Sequence, residues 1–376
     1  MVAGIGVAAL LGAAILGTTT TRRQPVPAGA SPATDPARSA PAPDQRGLPP
    51  LHGVPLDTAT GLRLLVASDP APFLFDVDRG TARPVTGLPS DGDRVVWVLP
   101  VGDDAVVVSD RTCNGCPDAG VYRVGHDTTV ATRLGAALDV VAAGDGRAVW
   151  LLGHQARTGC ALREVGLDGR PRRPARPFPC TTRLVGETSA GLLVMTGPSA
   201  DGSDWHSVLV EPAGGATSRL PVPAAQAVAG GGRLVLGSAG PGQPLTLADL
   251  HGGASYRLAW PSRLEVGTDE GRVHPNGRLV VVGFADPALP GGGQGLDEWL
   301  LDTATRRWRQ LPDMPAEVAL KFTSMSWTGD GRLVFLARTA DAGDVVAVWR
   351  PGQPRIAVGK VELPTRSGGS DSFVAW

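Results

Sequence analysis

The chain has 376 residues with 35 basic and 36 acidic side chains, a formal net charge of -1, so no whole-protein field recommends nucleic acid as a partner. Glycine (51) and proline (34) are abundant and aromatic residues make only 5%, a composition that turns often and excludes long helices as the main element. Lysine occurs only at Lys321 and Lys360, and the arginines are scattered rather than gathered, which reads as coding bias rather than guanidinium chemistry.

Residues 2–17, VAGIGVAALLGAAILG, form an uncharged aliphatic run. Thr18 to Thr21 extend it to about 20 residues, enough at 1.5 Å per residue to cross a bilayer's hydrocarbon core. Residues 1–21 are thus an anchor, or the hydrophobic part of a signal peptide with Ala28-Gly29-Ala30 as its small-residue cleavage site. The long spacing to that site favours the anchor. Arg22 and Arg23 would by themselves hold the body in the cytoplasm, whereas the cysteine pattern suits an oxidising compartment. The expectation is a single N-terminal anchor in the cell membrane with the body outside the cytoplasm, or a secreted body if cleavage occurs. No cysteine closely follows the apolar run, so a lipidated cysteine is not expected. Residues 22–52 repeat proline, alanine and serine without a hydrophobic period and read as a disordered tether.

From residue 53 to 376 the signal is short β-rich runs between turn residues. LRLLVAS (62–68), RVVWVLP (94–100), DAVVVSD (104–110), RAVWLLG (147–153), GLLVMTG (191–197), GRLVLGS (232–238), GRLVVVGF (277–284) and GRLVFLAR (331–338) are all predicted strands. With no amphipathic helix between them, an all-β fold follows. An apolar strand, a glycine-containing turn and a stronger strand recur at 140–152, 227–237, 273–283 and 326–337, where Asp-Gly or Asn-Gly is expected to supply the positive φ angles of a tight hairpin. Strand-turn-strand segments follow at 72–85, 120–134, 162–175, 207–220, 245–258, 298–311 and 345–358. Seven such units spaced by about 40 to 50 residues predict a β-propeller of seven four-stranded blades. DSFVAW at 371–376 has the look of an inner strand without a following partner, and is predicted to close the ring against the first blade.

One unit resembles a Kelch repeat: Gly291-Gly292-Gly293, Trp299, Asp302, Thr305, Trp308 and Leu311-Pro312. The chain as a whole resembles the broad Kelch/WD40-type propeller superfamily. The resemblance implies aromatic packing between blades and a scaffold that recognises proteins or ligands, with enzymatic work in some members.

Cys113 and Cys116 lie in the loop-like DRTCNGCPDAG, and Cys160 and Cys180 bracket an arginine- and proline-rich insertion. Pairing of Cys113 with Cys116 and of Cys160 with Cys180 is the simplest assignment, although four cysteines allow three connectivities. A redox-active CxxC or a four-cysteine zinc site are the alternatives. The six histidines show no metal-ligand spacing, and no nucleophile, phosphate-loop or dinucleotide motif occurs. No cofactor or metal is expected. Two loops are candidates for recognition: SADGSDWHS (199–207), with Asp204, Trp205 and His206, and ADPALPGGGQGLDEW (285–299), with Asp297 and Glu298. A tryptophan in a polar loop can stack on a sugar or anchor a partner; Trp205 can equally pack between blades, and Asp297 and Glu298 can be a solvated start of a strand. The expected role is a non-enzymatic extracytoplasmic scaffold that meets the membrane through its N-terminal segment and binds an envelope protein or glycan. The alternative is a propeller hydrolase or lyase acting on envelope carbohydrate or a lactone.

Overall fold

The computed structural model describes residues 48–68, 71–89, 93–111, 118–155, 159–197, 205–211, 217–222, 224–238, 243–262, 271–286, 293–319, 324–339, 343–364 and 372–376. These form seven small sheets and no helix, a seven-bladed β-propeller. Among the described residues no helix is long and apolar enough to cross a membrane, and the apolar run 2–17 lies outside them.

From inner to outer strand, blade 1 contains Phe373–Ala375, Arg63–Val66, Phe73–Asp76 and Thr81–Pro84. Blade 2 contains Asp93–Val101, Asp104–Arg111, Ala119–Gly125 and Thr132–Ala137; blade 3, Asp139–Ala142, Ala148–Gln155, Gly159–Gly166 and Arg176–Phe178. Blade 4 contains Thr182–Thr188, Gly191–Thr196, His206–Val210 and Thr217–Arg219; blade 5, Ala225–Ala229, Leu234–Ser238, Leu245–Asp249 and Ser255–Leu258. Blade 6 contains Arg272–Val273, Leu279–Asp286, Gly293–Asp302 and Arg307–Gln310, with Ala316–Ala319 also pairing its third strand. Blade 7 contains Ser324–Trp327, Leu333–Thr339, Gly343–Trp349 and Ala357–Lys360. As expected, the C-terminal strand closes the ring: Phe373–Ala375 pair antiparallel with Val66–Leu64.

The core is distributed over the seams. Seven clusters of buried apolar side chains are each drawn from two neighbouring blades. Both faces of a blade are therefore covered, which is why the strands read as continuous apolar runs rather than as alternation. In Leu333–Ala337 all five residues are buried: Leu333, Phe335 and Ala337 face blade 6, and Val334 and Leu336 face blade 1. Trp150, Trp327 and Trp349 are buried and Trp97 packs against the seam of blades 2 and 3, the blade-packing role expected of mid-strand tryptophans.

The turns between first and second strands differ from the expected hairpin. Only the glycine has positive φ, +65° at Gly146 and +73° at Gly277; Asp145 and Asn276 do not. The glycine N–H donates three residues back, Gly146 to Ala143 and Gly277 to His274, as in a type I turn completed by a left-handed glycine. The Asp or Asn side chain instead accepts from the backbone two residues on, Arg147 N–H to Asp145 at 2.8 Å and Arg278 N–H to Asn276 at 2.9 Å. These turns also touch around the ring: Ser189 N–H donates to Gly232 O at 3.0 Å and Gly230 N–H to Gly277 O at 2.6 Å.

Two boundaries shift. The fourth strand of blade 3 begins at Arg176, beyond the predicted segment, because Pro171 and Pro174 deny ladder donors and the arginine run turns aside to meet carboxylates. The propeller's contacts begin within the expected tether, where Glu317 N–H donates to Pro49 O and Leu51 is buried between blades 6 and 7; just beyond it Val54–Pro55 pair parallel with Ala357–Val358.

Candidate functional site

Antiparallel order places the first-to-second and third-to-fourth strand turns on one face of the ring. The second-to-third strand connections leave from the other face, and both candidate recognition loops belong to it.

On that face, His206 opens the third strand of blade 4, Trp205 immediately precedes it, and Asp204 lies outside the described residues. Side chains alternate from here. Ser207 accepts from Ala225 N–H at 3.1 Å and Leu209 packs against blade 5, so Trp205 turns towards blade 5. His206 lies opposite Thr196 and shares its side with Val208, which belongs to the apolar cluster between blades 3 and 4. The Trp205 indole is half-buried and rests on Gly197, where a Cβ would come within 2.4 Å of indole Cδ1. The Arg183 guanidinium carbon, from the first strand, lies 5.5 Å from the ring centroid. Arg183 and Trp205 thus form a cation–aromatic platform at the mouth of the seam between blades 4 and 5.

One blade back on the same face, His154 lies next to the end of the second strand of blade 3. Its Nδ1 lies 2.7 Å from Asp118 Oδ1, and its backbone N–H donates to Asp118 Oδ2 at 2.9 Å. Cys160 lies directly across from His154 and is disulfide-bonded to Cys180, the pairing expected from the sequence. Cys113 and Cys116 lie outside the described residues.

The acidic pair sits elsewhere. Asp297 and Glu298 are inside blade 6, 4% and 1% exposed, not at a solvated start of a strand. Asp297 accepts from Ser262 Oγ (2.6 Å), Trp299 Nε1 (2.8 Å) and Gln310 Nε2 (2.7 Å), a full set of donors from within the blade and its lead-in. Glu298 points to the opposite side of the sheet, over Gly283, where an added Cβ would meet its carboxylate at 2.8 Å. The structure therefore brings Trp205 together with Arg183, and places Asp297 and Glu298 in another blade on opposite faces of one sheet. Arg183, Asp118 and His154 carry no sequence signal: each partner is on a different strand, at separations set by the fold.

On the turn face, a cleft of about 260 Å³ at blade 3 is lined by Arg147, Asp168, Arg170 and Arg172 among others. Arg170 faces Asp168 across it at 3.9 Å. Arg172 bonds Asp145 at 2.5 Å and holds that carboxyl below its ordinary range.

No protein-family profile and no curated protein matches the sequence. Solved structures match in fold. The propeller domain of the Trilobed protease from Pyrococcus furiosus is 12% identical with a TM-score of 0.51, over 82% of this chain and 97% of that one. A structure from a study of two prolyl endopeptidases is 11% identical with a TM-score of 0.55 over 82% of this chain, and the Pyrococcus horikoshii acylaminoacyl peptidase 11% with 0.52 over 81%. This chain spans about half the length of those two peptidases, 50% and 51%. At these identities the likeness is one of architecture. It also shows a difference: the P. furiosus domain is described as having an open velcro topology, whereas here the C-terminal strand closes blade 1.

Proposed function

We propose that this chain is a non-enzymatic binding module, held at the cell membrane by its N-terminal segment with the propeller outside the cytoplasm, recognising an envelope protein or glycan through the second-to-third strand face. The observation that carries this reading is the Arg183–Trp205 platform: a half-exposed indole seated on a glycine, with a guanidinium at 5.5 Å. An indole of this kind, backed by a guanidinium, offers flat apolar area for a sugar ring or an aromatic side chain. The Cys160–Cys180 disulfide supports a location in an oxidising compartment. The packing of Trp299 and Trp308 into the seam of blades 5 and 6 supports a Kelch-type relationship for blade 6.

The test is an array of envelope-type oligosaccharides and peptides probed with the full chain and with Trp205→Ala and Arg183→Ala. A ligand whose affinity falls at least about tenfold in both variants, with unchanged thermal unfolding, supports the reading. Equal binding by wild type and both variants moves recognition away from this platform. Release of cleaved products from the array would replace the binding module with the hydrolase or lyase alternative.

A further inference from the structure

The mouth of the seam between blades 3 and 4 holds a second group of side chains that the binding reading does not use. His154 lies next to the end of the second strand of blade 3, Cys160 faces it on the third, and Cys180 follows the fourth. One ligand atom from each of the three lies within 4.8 Å of the others. Cys160 is buried and Cys180 exposed, so the disulfide presents one accessible sulfur. The imidazole is held in place: Asp118 takes both the ring at Nδ1 and the residue's backbone N–H. With Nδ1 donating to that carboxylate, Nε2 is left as a lone-pair donor. A carboxylate on the far nitrogen is how proteins orient an imidazole ligand and raise its basicity.

We propose that reduction of the Cys160–Cys180 bond turns this group into a zinc site, with the two thiolates and His154 Nε2 as ligands and a fourth position open to water. The reductant is a dithiol. Its thiolate attacks the exposed Cys180 sulfur and expels Cys160 as a thiolate. The second thiol then resolves the mixed disulfide, leaving the reductant oxidised by two electrons and both cysteines reduced. Zinc binds the two sulfurs as thiolates, and any protons they carry pass to solvent. Zn–S bonds near 2.3 Å and Zn–N bonds near 2.0–2.1 Å set ligand atoms about 3.5–3.8 Å apart, so the two sulfurs, bonded to each other now, must part on reduction while the group stays within the 4.8 Å that already bounds it. His154 and Cys160 are fixed by strand register, and Cys180, on an exposed turn, is the ligand that moves. In the oxidised state the sulfurs carry no charge and a cation finds one imidazole only, so the site is conditional on redox state.

The experiment uses the full chain carrying Cys113→Ser and Cys116→Ser, so that only Cys160 and Cys180 supply thiols. It is reduced with a dithiol, freed of reductant without air and titrated with cobalt(II) as a spectroscopic probe, then with zinc. The expected result is one cobalt per chain with a thiolate-to-cobalt charge-transfer band, displaced by zinc and absent from the oxidised protein. His154→Ala should weaken binding at least about tenfold, and Asp118→Asn by about 10–100-fold. Absence of the band in reduced protein, or a titration that His154→Ala leaves unchanged, overturns the proposal. So does loss of cooperative unfolding on reduction, because the site requires the strands of blade 3 to stay paired.

Discussion

Gly277 sets the distance between two blades by what it lacks. Its φ is +73°, its carbonyl accepts the Gly230 N–H at 2.6 Å, and a Cβ there would come within 2.7 Å of Gly231 N. Gly253 has a similar φ, +64°, but nothing within 4 Å of its would-be Cβ. The pair separates two costs that a glycine-to-alanine change usually mixes. Gly253→Ala carries the backbone cost alone, about 1 kcal/mol. Gly277→Ala adds a clash against backbone that cannot rotate away and should cost about 2–4 kcal/mol. Urea midpoints of the two variants check this: equal shifts would mean that the inter-blade turn contact contributes nothing. At this scale the sequence was only partly informative. The Asn-Gly pair marked the turn but not which residue takes the positive φ, and nothing near Trp205 pointed to Arg183, which lies on another strand and is placed by register alone.

Within blades, an arginine at the start of the second strand clamps an aspartate at the end of the third. Arg278 bonds Asp302 through both Nε (3.0 Å) and Nη2 (2.5 Å), and Arg233 bonds Asp249 in the same way at 3.0 and 2.7 Å. Asp302 also accepts from the N–H groups of Ala304 and Thr305, shaping the turn into the outer strand. The guanidinium lowers the Asp302 pKa from 3.8 to about 2 and holds Asp249 low as well. A carboxyl whose pKa is lower in the folded state contributes stability above its unfolded pKa, and that contribution fades as pH falls towards the folded value. Asp302→Asn keeps an acceptor for the turn and removes the charge. With Arg278 more than half exposed and the pair screened, its cost should be about 1 kcal/mol at pH 6 and should be mostly lost by pH 2. Denaturation of wild type and variant at both pH values checks it, and a pH-independent difference would remove the ion pair as its cause. Strands themselves were legible because each blade repeats the same run-turn-run pattern. The fate of Asp297 and Glu298 was not. In a blade covered on both faces, alternation no longer distinguishes inside from outside, so two adjacent acids in a long strand look solvent-facing when both are buried.

Across the whole molecule the two kinds of sheet edge are treated in opposite ways. Every fourth strand carries a basic residue: Arg83, Arg133, Arg176, Arg219, Arg257, Arg307 with Arg309, and Lys360, the last on a strand that Val54–Pro55 also cover in part. All but the half-buried Arg176 are exposed, a charge pattern that discourages pairing with another chain. The inner edge of blade 1 has no such protection and is covered by the C-terminal strand. Phe373, Val374 and Ala375 are 4%, 1% and 2% exposed and extend the seams on both sides of blade 1, Phe373 and Ala375 with blade 7 and Val374 with blade 2. Burial of Phe373 and Val374 alone is worth about 4 kcal/mol, and Ser372 adds bonds to Val98 N–H and O at 3.1 and 3.0 Å. A chain ending at residue 371 should therefore lose more than a terminal strand. It should expose the edge of Arg63–Val66, unfold at lower urea, and associate with rising concentration, as light scattering would show. A synthetic peptide of residues 372–376 added in trans should reverse both effects by refilling the same ladder. A peptide with Phe373 and Val374 both replaced by aspartate has the backbone for pairing but not the side chains for the seams, and should fail. Rescue by both peptides would mean that backbone pairing alone closes the ring; rescue by the native peptide only would assign closure to the two seams that these residues join.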